Sequence, residues 1–333
     1  YQYTYDHANR LLTTTYTFNN ESPIVLQSYN YDELGRVRSR HIHDGIDSIA
    51  FAYDIRSQIT KINSSNYEQK YYYNLPCPIG NGTVTPAYNG NISATTWTCD
   101  NQVNGYMYYY DNMNRLTSTY SILNNEWGDY YYSENFTYDA HGNITNLYRW
   151  DDYDVIDNLY MTYNGNQLMQ IEDTWETYNY EGKEYHDNNS STEDDFAYDV
   201  NGNMVYDQDR GIAAICYNLL NLPDTIQFAD GNQIVHRYDA EGNRLSTDYY
   251  TRKLNIPVPL GKVFSAADSI SKYHITRDAF LDNCVYTANN RDLFGIEFVH
   301  NPEGYIRYYG PEEHYHFYYI KDLLGNIRET YVH

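Results

Sequence analysis

The feature that most constrains this sequence is a short unit that returns throughout its 333 residues, clearest at Phe136-Thr137-Tyr138-Asp139-Ala140-His141-Gly142-Asn143-Ile144. Phe136 and Tyr138 share one face of an extended segment, because side chains alternate along a strand. Asp139 opens a turn, where its carboxylate accepts backbone N–H groups. Gly142 takes the left-handed conformation that a Cβ opposes. Asp at the first turn position and Gly at the fourth predict a type I turn closed by a G1 bulge. Ile144 starts the return strand, so the unit reads as one β-hairpin.

Eight further copies begin at Asp6, Asp32, Asp54, Asp111, Asp199, Asn218, Asp239 and Asp322. A tyrosine precedes the turn residue in every copy except the last, where Lys321 stands. Three residues after it come Asn9, Gly35, Ser57, Asn114, Gly142, Gly202, Asn221, Gly242 and Gly325. Glycine and asparagine tolerate positive φ best, so this column reports a backbone conformation, and Ser57 marks a strained or altered turn. Tyr88-Asn89-Gly90-Asn91 and Tyr163-Asn164-Gly165-Asn166 read as shortened copies with two-residue type I′ turns at Asn-Gly.

The copies sort the chain into an array over 1–245 and a continuation over 246–333. Spacings of 26 and 22 residues between the first three aspartates suit one hairpin per repeat. Residues 61–105 are irregular, either an insertion loop or a degenerate repeat, and the motif at Tyr88 favours the second. The acidic run 185–195 reads as a solvated hairpin tip without the alternating order of a calcium loop. After Leu245 the segment Ile256-Pro257-Val258-Pro259-Leu260-Gly261 reads as a crossing loop. Short strands are expected around Cys284-Val285-Tyr286, Phe294 to Val299 and Tyr305 to Tyr309. The repeat length varies, which favours a sheet wound into a shell over a strict solenoid.

Composition narrows the partners. Lys plus Arg number 22 against 45 for Asp plus Glu, and the net charge of −23 argues against nucleic acid or an anionic membrane while permitting a basic polypeptide or cations. Aromatic residues reach 17% at a mean hydropathy of −0.76, as half-buried strands require. No run of 18 apolar residues occurs, and with no leader before Tyr1 any secretion signal is expected on a longer parent from which this is a fragment. Cys77, Cys99, Cys216 and Cys284 have no zinc spacing; Cys77 and Cys99 either pair or remain buried thiols. Asn-x-Ser/Thr triplets follow from the asparagine-rich composition, and no glycan is assigned to them.

The pattern Tyr-Asp-x-x-Gly-Asn/Arg-apolar resembles the YD repeats of bacterial Rhs proteins, shared with teneurins and insecticidal toxin complexes. Tyr217-Asn218-Leu219-Leu220-Asn221-Leu222-Pro223 and Tyr238-Asp239-Ala240-Glu241-Gly242-Asn243-Arg244 are similar to later repeats of that family. Tyr319-Ile320-Lys321-Asp322-Leu323-Leu324-Gly325-Asn326-Ile327-Arg328 resembles the segment leading into the Rhs-associated core. The resemblance implies an all-β fold, a spiralled hairpin sheet forming part of a hollow shell around a C-terminal toxin, outside the producing cell. It also implies a self-cleaving Asp-Pro-x-Gly site, and this sequence contains no Asp-Pro. Asp292-Leu293-Phe294-Gly295 and Asp322-Leu323-Leu324-Gly325 lack the proline.

For chemistry the residues offer little beyond structure. One aspartate per hairpin at a turn start is explained by capping, whereas catalysis needs converging carboxylates, and no buried pair is expected. His41 with His43, and His314 with His316, set two imidazoles on one strand face, but no third ligand is identifiable. Catalytic, cofactor and metal residues are therefore assigned to none. The tyrosines are expected to stack across strands, their hydroxyls reaching water or turn carboxylates. Two functional readings remain, with a hydrolase as a distant third: a non-enzymatic shell fragment enclosing or presenting a polypeptide, and an adhesive module using Trp97, Trp127, Trp150 and Trp175 to bind carbohydrate or a cell surface.

Overall fold

In the computed structural model the described residues are 1–17, 22–78, 84, 86–99, 101–124, 126–128, 131–152, 154–175, 184–187, 194–265, 271–288, 295–310 and 313–333, with the side chains of 99, 127 and 128 outside that set. Among these, every regular element is a β-strand apart from 3-10 turns at His43–Gly45 and at residues 271–272. Fifteen strands, from Gln2–Tyr5 to Gln167–Asp173, form one antiparallel sheet. Twelve more, from Phe196–Tyr198 to Ile327–Val332, form a second. Almost every strand pairs with the strands before and after it in sequence, and Glu126–Gly128 alone sits off the path, on Leu116–Leu123. Consecutive hairpins explain this order, since each turn delivers its return strand to the edge just made.

The chain divides into two compact units, one of residues 1–136, 149–154 and 318–331 and the other of 137–148, 155–317 and 332–333. In the first, Cys77, Val84, Ala94, Met107 and Ile122 form a core cluster flanked by Tyr72, Tyr109 and Tyr120. In the second, Leu159, Ile171 and Phe196 pack with Leu147, Met161, Leu168, Tyr198 and Met204. Fully burying a side chain such as Ile122 or Phe196 contributes about 1.5–3 kcal/mol. Strand Tyr67–Tyr72 shows the alternation that makes this work, with Tyr67, Gln69 and Tyr71 buried and the residues between them more exposed.

In the irregular stretch 61–105 the strands Ile59–Asn63, Tyr67–Tyr72, Ala94–Cys99 and Gln102–Tyr110 pair in order, and the hairpin between the middle two has an expanded turn. Tyr67–Tyr72 pairs with Ala94–Cys99, Tyr72 opposite Ala94, so the residues between them form the expanded tip of one hairpin. The expected Asn-Gly turns are corrected. Asn164 pairs with Gln167, so the two-residue loop is Gly165-Asn166; Gly165 alone has positive φ, as a type II′ turn requires. Near Asn89 only Gly90 has positive φ, whereas type I′ needs two such residues.

Past Leu245, hairpins continue as Tyr273–Leu281 with Cys284–Ala288 and Gly295–Asn301 with Gly304–Tyr308. The segment from Ile256 runs beside an earlier turn, its Ile256 and Val258 amides donating to Asp230 and Ala229 carbonyls. Asp292 to Phe294 and most of the acidic run, residues 188–193, lie outside the described residues, as do Asn20, Asn81, Asn188 and Asn189. Cys77 is buried in its cluster; the Cys99 side chain is not among those described.

Candidate functional site

All nine turns share one construction. The amide of the first turn residue donates to the carbonyl four residues on, and the amide three residues on donates back, as in Asp6 with Arg10 and Asn9, and Asp139 with Asn143 and Gly142. The residue three positions on has positive φ in every copy: Asn9 at 58°, Gly35 at 82°, Asn114 at 65°, Gly142 at 93°, Gly202 at 84°, Asn221 at 61°, Gly242 and Gly325 at 87°. Ser57 adopts it too, at 64°, and the Asp54 turn keeps both backbone bonds, so Ser57 marks strain rather than a different turn.

One oxygen of the first side chain then accepts two amides, two and four residues on. This holds for Asp6, Asp32, Asp54, Asp111, Asp139, Asp199, Asn218, Asp239 and Asp322. The other carboxylate oxygen accepts from the side chain four residues on, which is Arg10, Arg36 or Arg115 in three copies and Asn143, Asn203, Asn243 or Asn326 in four. The alternation of Arg and Asn at that place was visible in the sequence; its cause is a donor aimed at the carboxylate. The amides of Arg10 and Arg115 hold Asp6 and Asp111 below the usual carboxylate range, and the side-chain amides of Asn203 and Asn243 do the same for Asp199 and Asp239. At Asp32, Asp139 and Asp322 burial pushes upward and the hydrogen bonds outweigh it. These carboxylates are ionised and committed to the turn.

The repeated tyrosine joins each hairpin to the one before. Tyr31, Tyr53, Tyr73, Tyr110, Tyr163, Tyr198, Tyr217 and Tyr238 donate their hydroxyls to the carbonyls of Leu11, Val37, Ile59, Ile92, Ile144, Leu168, Met204 and Pro223, at 2.7–3.0 Å. In six of these joints the accepting residue is the one opposite the previous tyrosine, where the register shifts at the bulge, as Leu11 is opposite Tyr5 and Pro223 opposite Tyr217. The expectation that the hydroxyls reach water or turn carboxylates is corrected here: a ring lying across its neighbour buries the hydroxyl beside a carbonyl left over at the turn, and pairing the two satisfies both. Tyr73 and Ile92 obey the rule, which identifies the expanded turn as an ordinary repeat carrying an insertion. Arginines add to the joint, with Arg10 4.6 Å from the Tyr31 ring and Arg36 4.5 Å from Tyr53.

The last copy differs in its surroundings. Asp322 accepts from Arg328 as well as Asn326, and the Leu323 amide donates to the Tyr71 hydroxyl at 2.9 Å. Nearby, His43 Nδ1 lies 2.7 Å from the Tyr318 hydroxyl, and Arg40 donates to the Tyr319 carbonyl.

The two histidine pairs behave differently in the structure. His41 ends up beside Asn30 on strand Val37–Ile42, whereas His43 begins the 3-10 turn with φ of 43°, so the two do not share a strand face as expected. His314 and His316 do, with ring centroids 5.5 Å apart. Among the described residues no group of three His, Cys, Asp or Glu is placed to hold a metal ion.

A set of buried carboxylates was not legible in the sequence. Asp157, Asp195, Asp207 and Asp209 are all buried in the second unit. Asp195 accepts the Ile171 amide, Asp157 the Tyr185 amide and Asp209 the Tyr185 hydroxyl, while Asp207 pairs with Arg210. Burial, with the charges of Asp195, Asp187 and Asp207, pushes Asp209 up to about 6 against the hydrogen bond from Tyr185. Their bonds fasten the Tyr185 segment to the sheet. Another buried carboxylate, Asp248, is flanked by Arg237 and Arg277. Of the tryptophans, Trp97 leans on Tyr106 at 5.8 Å, Trp150 ends strand Ile144–Trp150 and Trp175 is exposed, while the Trp127 side chain is not described.

No helix among the described residues is long and apolar enough to cross a membrane. No family model and no curated protein matches the sequence. Solved structures do share its fold. The crystal structure of TcdB2-TccC3-Cdc42 matches 99% of this chain and 16% of that one, with a TM-score of 0.69 at 14% identity. TcdB2-TccC3 gives 0.68 at 14% identity with the same coverage, and TcdB2-TccC3 without its hypervariable C-terminal region gives 0.63 at 13% over the same shares. The chain thus spans 16% of the length of these structures, and at such identity the likeness establishes a common all-β fold of consecutive antiparallel hairpins.

Proposed function

We propose that this chain is a stretch of wall from a hollow β-sheet shell of the YD-repeat kind, in a larger secreted or surface protein, and that the shell encloses or presents a polypeptide carried C-terminal to it. The observation that carries this reading is the likeness of nearly the whole chain to a small part of the TcdB2-TccC3 structures. One of them was solved without a hypervariable C-terminal region, so that protein has a variable C-terminal segment. The turn chemistry is consistent with a wall, because the repeated carboxylates and hydroxyls are spent on holding hairpins together and do no chemistry of their own.

The test joins the chain to whatever is encoded beyond His333. A following segment that resists protease in the intact protein, and is digested when expressed alone, is the expected result. An open reading frame that stops at His333, or a segment digested equally in both forms, overturns the cargo.

A further inference from the structure

The last hairpin brings two carboxylates within reach of each other's charge, an arrangement the sequence did not predict. Glu329 and Tyr331 alternate with exposed residues along strand Ile327–Val332, so both point to one face. The Tyr331 hydroxyl lies 3.2 Å from Ser65 Oγ and 3.4 Å from Ser64 Oγ, at the turn after strand Ile59–Asn63. Further along, Tyr71 and Arg40 fasten the same hairpin through the Leu323 amide and the Tyr319 carbonyl. All of these residues belong to the first compact unit.

Asp47 opens strand Asp47–Tyr53 and is 8% exposed. Its Oδ1 accepts the Ser48 amide at 2.8 Å, while its Oδ2 is buried with no hydrogen-bond partner among the described residues. Glu329 Oε2 is in the same condition. Two carboxylate oxygens are thus taken from water with nothing donating to them, which is costly while both groups are charged. Burial, then the Asp47 charge, push the Glu329 carboxyl above the usual glutamate range, against the hydrogen bonding of Tyr331. The basic side chains of the hairpin and of the strands it meets are engaged elsewhere: Arg328 with Asp322, Arg40 with the Tyr319 carbonyl, Lys321 over the Tyr319 ring, Lys61 and Lys70 with Glu68, and His43 against the Tyr318 hydroxyl.

A proton on Glu329 removes both penalties, since the neutral acid no longer repels Asp47 and can itself donate to a carboxylate oxygen. We propose that Glu329 is a proton-operated latch: protonated, it seats strand Ile327–Val332 against Asp47 and the Ser64–Ser65 turn, and ionised, it loosens that strand. A carboxyl raised in the folded state stabilises fully below its ordinary value of 4.5, and that contribution is lost as pH rises through the folded value. At the turn of the same hairpin Asp322 is held low and runs in the opposite sense, letting go only below 3.8, so the hairpin is tightest between the two. The latch goes beyond the shell reading and stands whether or not the wall encloses a cargo.

Hydrogen exchange read by mass spectrometry on the intact chain, with intrinsic rates corrected for pH, tests the latch. Peptides covering Ile327–Val332 should lose protection severalfold between pH 5 and pH 8, and those covering strand Gln102–Tyr110 should not. Glu329→Gln, neutral at every pH, should keep at pH 8 the protection seen at pH 5, and Asp47→Asn should also flatten the slope. Protection that does not change with pH, or a slope that survives in Glu329→Gln and so belongs to another group such as His43, overturns the proposal. A carbon-13 titration of the Glu329 carboxyl gives a reading independent of exchange. It should titrate above 4.5 in the wild type and lower in Asp47→Asn, and a midpoint at or below 4.5, or one that Asp47→Asn leaves in place, overturns the latch.

Discussion

The turns at Asp139 and Asp322 use the same hydrogen bonds in different settings. Each has the paired backbone bonds, two amides on one carboxylate oxygen and an asparagine amide on the other. Yet the Asp139 side chain keeps 28% of its surface exposed and Asp322 only 2%. Around Asp322 the turn is closed over by the Tyr71 hydroxyl and braced by Arg328, and the position before it holds Lys321, 5.6 Å from the Tyr319 ring, instead of the joining tyrosine. Local sequence builds the turn; packing decides what the turn is worth.

Replacing the aspartate in each copy is the largest test of that difference. Asp322→Ala strands Arg328 and Asn326 together, and should cost roughly 2–3 kcal/mol in denaturant titration, less than a fully buried pair because Arg328 is half exposed. Asp139→Ala should cost clearly less. Equal losses would show that burial adds nothing to the shared hydrogen bonds.

Gly142→Val should cost about 1–2 kcal/mol, since a β-branched residue is forced to positive φ there. An unchanged melting temperature would remove the backbone argument from the exposed turns. Tyr163→Phe, which strips the hydroxyl from the Ile144 carbonyl, should cost about 1 kcal/mol. Tyr5→Phe is the control, because Tyr5 lies on the edge strand and is exposed; a loss there as large as at Tyr163 would sink the joining role.

A pH slope separates the turn carboxylates from the buried set. Asp139 and Asp322 are held below 3.8, so their contribution is present above that value and is lost as pH falls through their lower folded values. Asp209 runs the other way. With its folded value near 6, the native protein takes up a proton on acidification, so stability rises as pH falls from about 6 towards 3.8 and the penalty is complete above 6. Asp209→Asn should raise the melting temperature at pH 8 and leave it nearly unchanged at pH 4; equal shifts at both would remove the charge from the explanation.

The hairpin unit was legible because its causes are local. A carboxylate two and four residues from the amides it accepts, and a Gly or Asn where φ turns positive, act within five residues and need no tertiary partner. The expanded repeat read only as irregular because an insertion parted Tyr73 from Ile92, and spacing was the only signal available for it. Hairpins at Asp282-Asn283 and Pro302-Glu303 use two-residue loops, which need no capping aspartate and so carry no Tyr-Asp word.

What the sequence determined alone was the hairpin, its Asp-led turn and hence an all-β chain, since these depend on dihedral preferences and bonds between near neighbours. Tertiary structure decided the rest. It chose which carbonyl each tyrosine reaches, buried Asp157, Asp195, Asp207 and Asp209 in the second unit, and parted His41 from His43. Each of these depends on which groups meet across strands and on how much water is excluded where they meet, and neither quantity exists until the sheet has formed.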